Sequence, residues 1–379
     1  GPLVHSFLSN LIHFLKELTD PKLLHYVIKQ SERTAPYVAC FPRLSRKLIK
    51  ILLNFWGGAD ESVRVVSFLW IRQLAILCPH PFADSCLKGA YACFVRNSKF
   101  TTAKSMPVVN FMLNCVVELY GLDPSATYQH AFINIRQMAI HLRNAMNAKS
   151  KESYRSIYNW QFLNCLRVWS AVISAYASDA ASPLRPLLFP LVQIIGGAVR
   201  LVPAPRYFPF RFQCVQLLID LSAATGAYVP VAPYLLEVLA SAVVSGKQPR
   251  ESSQKRVDLA YHVKVGNAYL KSRAFQDVTC EAAVELLTAH FASLARSIAF
   301  PELVIPTVVQ LRRLAKSVKN VHLAKQAQTL LQKIELNRQW VERHRANVDY
   351  SPHDVDRTVR FFGFYWSKFY FFLFFMGLS

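Results

Sequence analysis

The amino-acid sequence predicts an all-α fold, an α-solenoid of HEAT- or armadillo-like helical hairpins, and three observations predict it. Apolar residues make up 53% of the 379 positions and recur at helical rather than strand spacing. Only 12 glycines accompany 20 prolines, and the Asn-Gly and Asp-Gly pairs that start β-hairpins are missing. Finally, "FLWIRQLAIL" at 68–77 is echoed by "FINIRQMAIHL" at 132–142, which aligns Arg72 with Arg136 and Ile76 with Ile140. A return after 64 positions suits two stacked helical hairpins.

In chain order, periodic apolar segments with short breaks place helices over 36–54, 61–78, 83–96, 106–121, 125–147, 154–177 and 184–201. They continue over 207–225, 230–244, 256–272, 276–298, 301–319 and 322–346. Paired prolines open several of these runs: Pro186 and Pro190, Pro230 and Pro233, Pro301 and Pro306. Proline suits a first helical turn, where its missing N–H has no partner to lose, and it bends a helix when it comes later. Within 125–147, Ala131, Ile135, Met138, Leu142 and Ala145 form one apolar stripe, and Ile133 with Ile140 forms a second on the opposite side. Two apolar faces call for two neighbours, the demand made on a helix in the middle of a stacked array.

The expected organisation is one helical-repeat domain over 1–348, interrupted by a basic flexible loop at 245–256, "SGKQPRESSQKR". The aromatic-rich segment 349–379 departs in composition from everything before it and reads as a non-native or truncated terminus. It falls short of a membrane span, because Lys368 interrupts "FFGFYWSKFYFFLFFMGLS". The chain opens Gly-Pro without methionine and reads as a fragment.

Forty-four Lys and Arg against 23 Asp and Glu give a formal net charge of +21. So large an excess asks for an acidic counterpart such as nucleic acid. The eight cysteines sit mostly inside apolar runs with no C-x-x-C pair, the pattern of buried reduced thiols and not of zinc ligands. No P-loop, G-x-G-x-x-G, G-x-S-x-G or H-E-x-x-H motif appears, so the expectation is a non-enzyme without cofactor, metal or small-molecule substrate.

Candidate contacts are therefore basic. Lys149, Lys151 and Arg155 follow the 125–147 helix and are interleaved with Tyr154, Tyr158, Trp160 and Phe162, most of which continue an apolar helical face and belong to the core. Lys247, Arg250, Lys255 and Arg256 form the second basic island, expected to reach phosphate. Arg72, Arg136 and Arg143 read as a ladder for a partner or between repeats; the alternative is that each guanidinium bonds helix-end carbonyls of its neighbour.

The stretches "FVRNSKF", "MPVVNFMLNCVVELYGLD", "YQHAFINIRQMAIHLRNAM", "YNWQFLNCLRVWS" and "FPELVIPTVVQLRRL" together resemble the nucleolar complex protein 2 family, in order and spacing, over about residues 1–346. The resemblance implies a non-catalytic scaffold in biogenesis of the large (60S) ribosomal subunit. It implies heterodimers with nucleolar complex proteins 1 and 3, contact with precursor rRNA, and support of assembly and intranuclear transport of pre-60S particles in nucleolus and nucleoplasm. The alternative it carries is a chromatin-associated adaptor that binds histones and inhibits histone acetyltransferases. Against the family pattern, the charged low-complexity tails are missing, and "FFLFFMGLS" does not fit the charged region expected after about residue 350.

Overall fold

A computed structural model of the chain describes residues 1–78, 82–247, 255–346 and 348. All regular structure among them is helical. The N-terminal helices are α1 (Pro2–Glu17), α2 (Pro21–Ser31), α3 (Ala35–Ala39), α4 (Pro42–Gly58), α5 (Glu61–Leu77) and α6 (Phe82–Asn97). They are followed by α7 (Met106–Tyr120), α8 (Pro124–Ala148), α9 (Lys151–Ile157), α10 (Trp160–Tyr176), α11 (Leu188–Leu201) and α12 (Phe208–Thr225). The C-terminal set is α13 (Ala232–Ala240), α14 (Ala242–Ser245), α15 (Asn267–Leu270), α16 (Arg273–Leu294), α17 (Phe300–Ser317) and α18 (Val321–Arg345).

Helix starts follow from local chemistry. Proline occupies the first turn of α1, α2, α3, α4, α7, α12, α13 and α17. At α10, α16 and α18 a side-chain oxygen accepts one of the unpaired first-turn N–H groups. Asn159 Oδ1 takes Phe162 N at 2.8 Å, Ser272 Oγ takes Phe275 N at 3.1 Å, and Asn320 Oδ1 takes Leu323 N at 3.2 Å.

Contacts divide the chain into two compact units, 1–143 with 159–191, and 144–158 with 192 onward. In the first, α5 packs on α2, α3, α4 and α6, and α7 and α10 continue from α6. Its core holds fully buried Trp56, Trp70, Phe94, Tyr120 and Trp169. In the second, α16 packs on α12, α13 and α18, while α17 and α18 pack along each other more extensively than any other pair of described helices. Phe210, Phe275, Phe291 and Phe300 are the large fully buried rings there.

Several helices differ from the periodicity reading. That reading begins at residue 36, so α1 and α2 precede it, although Asp20 before Pro21 caps α2 by accepting from Leu23 N at 2.7 Å. The helix expected over 154–177 breaks at Tyr158–Asn159, where Asn159 starts α10 afresh. The helix expected over 230–244 is interrupted at Ser241, between α13 and α14. The helix expected over 256–272 is largely extended: its described residues hold one 3₁₀ turn at Leu259–Tyr261 and the short α15. Leu259 in that turn and Val263 and Val265 on the path after it are all buried, and Val265 N anchors the path on Arg206 O at 3.0 Å. The second stripe of α8 is also corrected: Ile133 is 64% exposed, whereas Ala131, Ile135, Met138, Leu142 and Ala145 are buried as the first stripe requires.

Candidate nucleic-acid interface

Helix α8 ends at Ala148, and Lys149 follows with φ 46°, the left-handed conformation. Its N–H still reaches Ala145 O at 3.2 Å, so Lys149 closes the helix in the place glycine usually takes. A side chain bearing Cβ costs about 1 kcal/mol in that region. Ser150 then caps α9 reciprocally: Ser153 N donates to Ser150 Oγ and Ser150 N donates to Ser153 Oγ, both at 3.1 Å. The turn is thus a defined two-residue corner. It carries Lys149 and Lys151 into solvent, and Arg155, exposed one turn along α9, lies on the same helix face as Lys151.

The aromatic residues of this stretch turn inward. Tyr158 stacks on Tyr207 at 4.0 Å and meets Phe210 edge-on at 5.0 Å. Its hydroxyl donates to Ala198 O at 3.1 Å and accepts from Val202 N at 2.8 Å. Burial pushes that phenol well above its ordinary range, so it stays neutral. Phe162 is buried, while Tyr154 and Trp160 are half-buried. The cations, not the rings, face outward here.

The second island divides. Lys247 and Lys255 are exposed, Arg256 is exposed but ion-paired with Glu281 of α16, and Arg250 lies outside the described residues. Phosphate binding at Arg256 therefore requires exchange with that carboxylate. The two islands sit on separate segments, α8–α9 and the approach to the 3₁₀ turn at 259–261. Of the three arginines proposed as a ladder, Arg72 on α5 pairs with Glu118 on α7, Nε to Oε1 at 2.6 Å, and both are partly exposed. Arg136 and Arg143 are exposed on α8.

Potential reaction chemistry is sparse. His130 Nε2 lies 2.6 Å from Asp84 Oδ1, which ties α8 to α6, with the imidazole against Tyr120 at 5.8 Å. Among the described residues, no group of three His, Cys, Asp or Glu stands close enough to hold a metal ion. None of the eight cysteines is in a disulfide; Cys40 is exposed, Cys165 half-buried and the others buried. Burial pushes the Cys86, Cys115 and Cys280 thiols up to about 12, which keeps them protonated and inert. Among the described residues, no helix is long and apolar enough to cross a membrane.

One exposed group escapes sequence inspection. Phe100 is 77% exposed in the turn between α6 and α7, with Lys99 Nζ 5.5 Å from its ring centroid. Only the absence of any carboxylate between Ser85 and Val117, against Lys88, Arg96, Lys99 and Lys104, marks that stretch in the sequence.

Comparison with known proteins identifies the frame in which these groups stand. A family model described as the Noc2p family matches residues 81–368. The nucleolar complex-associated protein 2 of Arabidopsis thaliana is 39% identical over 353 residues, 93% of this chain and 46% of that protein. Nucleolar complex protein 2 of Drosophila melanogaster is 37% identical over 340 residues, 90% of this chain and 44% of that protein. A nucleolar complex protein 2 homolog of Caenorhabditis elegans is 33% identical over 367 residues, 94% of this chain and 51% of that protein. The chain thus spans about half the length of the curated relatives it matches. On the matched length and these identities, it belongs to the Noc2p family.

Proposed function

We propose that this chain is a non-catalytic scaffold of nucleolar ribosome biogenesis, acting on precursors of the large subunit. In this reading its helices stack as HEAT-like hairpins, dock nucleolar complex proteins 1 and 3 as alternative heterodimer partners, and touch precursor rRNA through Lys149, Lys151, Arg155, Lys247, Arg250, Lys255 and Arg256. It works in nucleolus and nucleoplasm as particles mature. Family membership supports the setting, since relatives are named for nucleolar complexes. Exposed apolar residues support docking of a partner: Val65, Leu69 and Ile76 fall on one face of α5, and Phe132 and Ile133 stand out on α8.

The observation that carries the RNA contact is Lys149. Glycine would sit at φ 46° without strain, yet the position holds a cation aimed at solvent beside Lys151. Strain retained at an exposed corner argues for a use of the side chain. Lys149→Gly is therefore expected to stabilise the fold by about 0.5–1 kcal/mol while weakening RNA binding. Thermal unfolding and RNA affinity measured on the same sample check both halves; loss of stability would mark the lysine as structural.

Salt titration tests the wider reading. Replacing Lys149, Lys151 and Arg155 together by glutamate is expected to leave helicity unchanged and to lower the slope of log K against log salt by about 2–3, at about 0.7–0.9 per phosphate contact. A wild-type slope equivalent to fewer than about two phosphates argues against the RNA-facing reading.

A further inference from the structure

The turn from α6 to α7 is built more tightly than an ordinary surface loop. Asn164, fully buried on α10, donates through Nδ2 to Ser98 O and to Thr101 Oγ1, both at 3.0 Å. Thr101 Oγ1 returns to Ser98 O at 3.3 Å. Beyond it, Thr102 N donates to Ser105 Oγ at 2.9 Å and Ser105 N to Thr102 Oγ1 at 3.2 Å. Arg167 braces the anchor, with Nη1 on Asn164 Oδ1 at 2.9 Å and Nη2 on Asn110 Oδ1 at 2.7 Å. Ser98 and Thr101 are thereby buried on either side of two exposed residues, Lys99 and Phe100.

This arrangement spends its ordered hydrogen bonds on holding an apolar ring in water, where it contributes nothing to the core. With the turn on both sides of Phe100 held by these bonds, the ring is offered from ordered backbone, which lowers the ordering cost of binding. Its surroundings select the kind of partner. Lys99 stands against the ring, Arg96 and Lys104 are exposed within four residues of it along the chain, and no carboxylate occurs in the sequence from Ser85 to Val117. A ring flanked along the chain by cations suits a planar group joined to phosphates.

We propose that Phe100 is a stacking platform for an unpaired base of an RNA strand, whose phosphates are held by Arg96, Lys99 and Lys104. The inference rests on the RNA-facing reading above and adds to it a second contact point, on the first unit, with a preference for single strands. Every base has a π-face, so the contact is sequence-tolerant. Bases inside a duplex are already stacked and offer no face to the ring. The Lys99 ammonium occupies one side of the ring, and a base takes the other or displaces the lysine onto its own phosphate.

The test uses the whole chain with a single-stranded RNA of about twelve nucleotides and a blunt RNA duplex of the same length, at fixed low salt. Phe100→Ala is expected to lose about tenfold in affinity for the single strand and less than about twofold for the duplex. Phe100→Trp should retain single-strand affinity, and its added indole emission should be quenched by the strand. Phe100→Leu, apolar but not planar, should fail to rescue. Equal losses on both RNAs, or full rescue by leucine, would overturn stacking and leave an apolar anchor for a protein. Unchanged single-strand binding by Phe100→Ala, with the Lys149, Lys151 and Arg155 triple variant still impaired, sinks this inference alone. Failure of the wild-type chain to bind either RNA removes both readings together.

Discussion

Replacing Trp169 by alanine is expected to cost about 3–5 kcal/mol of stability, a large part of the roughly 5–15 kcal/mol that folded chains possess. Trp169 is fully buried on α10, with its ring 5.3 Å from Tyr91 of α6 and 5.0 Å from Tyr120 of α7. Its indole N–H donates to Tyr91 Oη at 3.3 Å. Alanine removes the ring, both tilted aromatic contacts and the donor, and leaves a cavity between three helices that close only partly. The denaturant midpoint should fall with little change in its slope, and amide exchange should quicken in α6, α7 and α10 before other helices. Phe at this position keeps most of the ring and should recover much of the loss. A midpoint unmoved in Trp169→Ala would show that these helices do not rely on this ring for their packing.

That core was legible because burial there has helical period. The stripe Ala131, Ile135, Met138, Leu142 and Ala145 is buried as its spacing demands. Periodicity locates apolar positions, but it does not say which of them receive a neighbour, and Ile133 illustrates the difference at 64% exposure. The same limit explains the extended segment before α15. Leu259 and Val263 are four apart and imitate a helical face, yet they are buried from an irregular path. Asp258 turns the chain by accepting from Ala260 N at 2.9 Å, and Tyr269 Oη accepts Val257 N at 3.0 Å. Side-chain oxygens competing for backbone N–H groups are a local signal that a periodicity count passes over.

The surface was legible in a different measure. That the rings after Lys151 belong mostly to the core followed from the spacing of Tyr158 and Phe162, and both are buried. The geometry of Lys149 was not legible, because its left-handed backbone is set by how α8 ends against the cap of α9 and not by composition. Phe100 escaped for the opposite reason. A single phenylalanine between two hydrophilic runs reads as one more apolar residue until Asn164, 64 positions away, is seen to fix the turn beneath it.

Acid should destabilise this fold through His290 before it reaches the paired carboxylates. His290 is 1% exposed on α16, its ring 5.1 Å from Phe291 and 6.4 Å from Tyr228. Its Nδ1 is buried and has no hydrogen-bond partner among the described residues. Burial pushes the imidazole down from 6.5 to about 4, since a charged ring would lose its water and gain no counter-charge. The unfolded chain therefore binds the proton first. Stability is complete above about pH 6.5, declines as pH falls through that value, and levels off below about 4, a total of about 3 kcal/mol at about 1.4 kcal/mol per pH unit. Glu302 with Arg345 and Glu335 with Arg338 act in the other window, because their depressed carboxyls give up stability only below the ordinary 4.5. Both carboxylates reach solvent, so each pair contributes at most about 1 kcal/mol. His290→Leu separates the two: it fills similar volume, removes the unpaired nitrogen and should flatten the urea midpoint between about pH 6.5 and 4.5 while leaving the steeper fall below it. Parallel wild-type and leucine curves across that upper window would mean that the buried ring is not the proton acceptor that weakens the fold in mild acid.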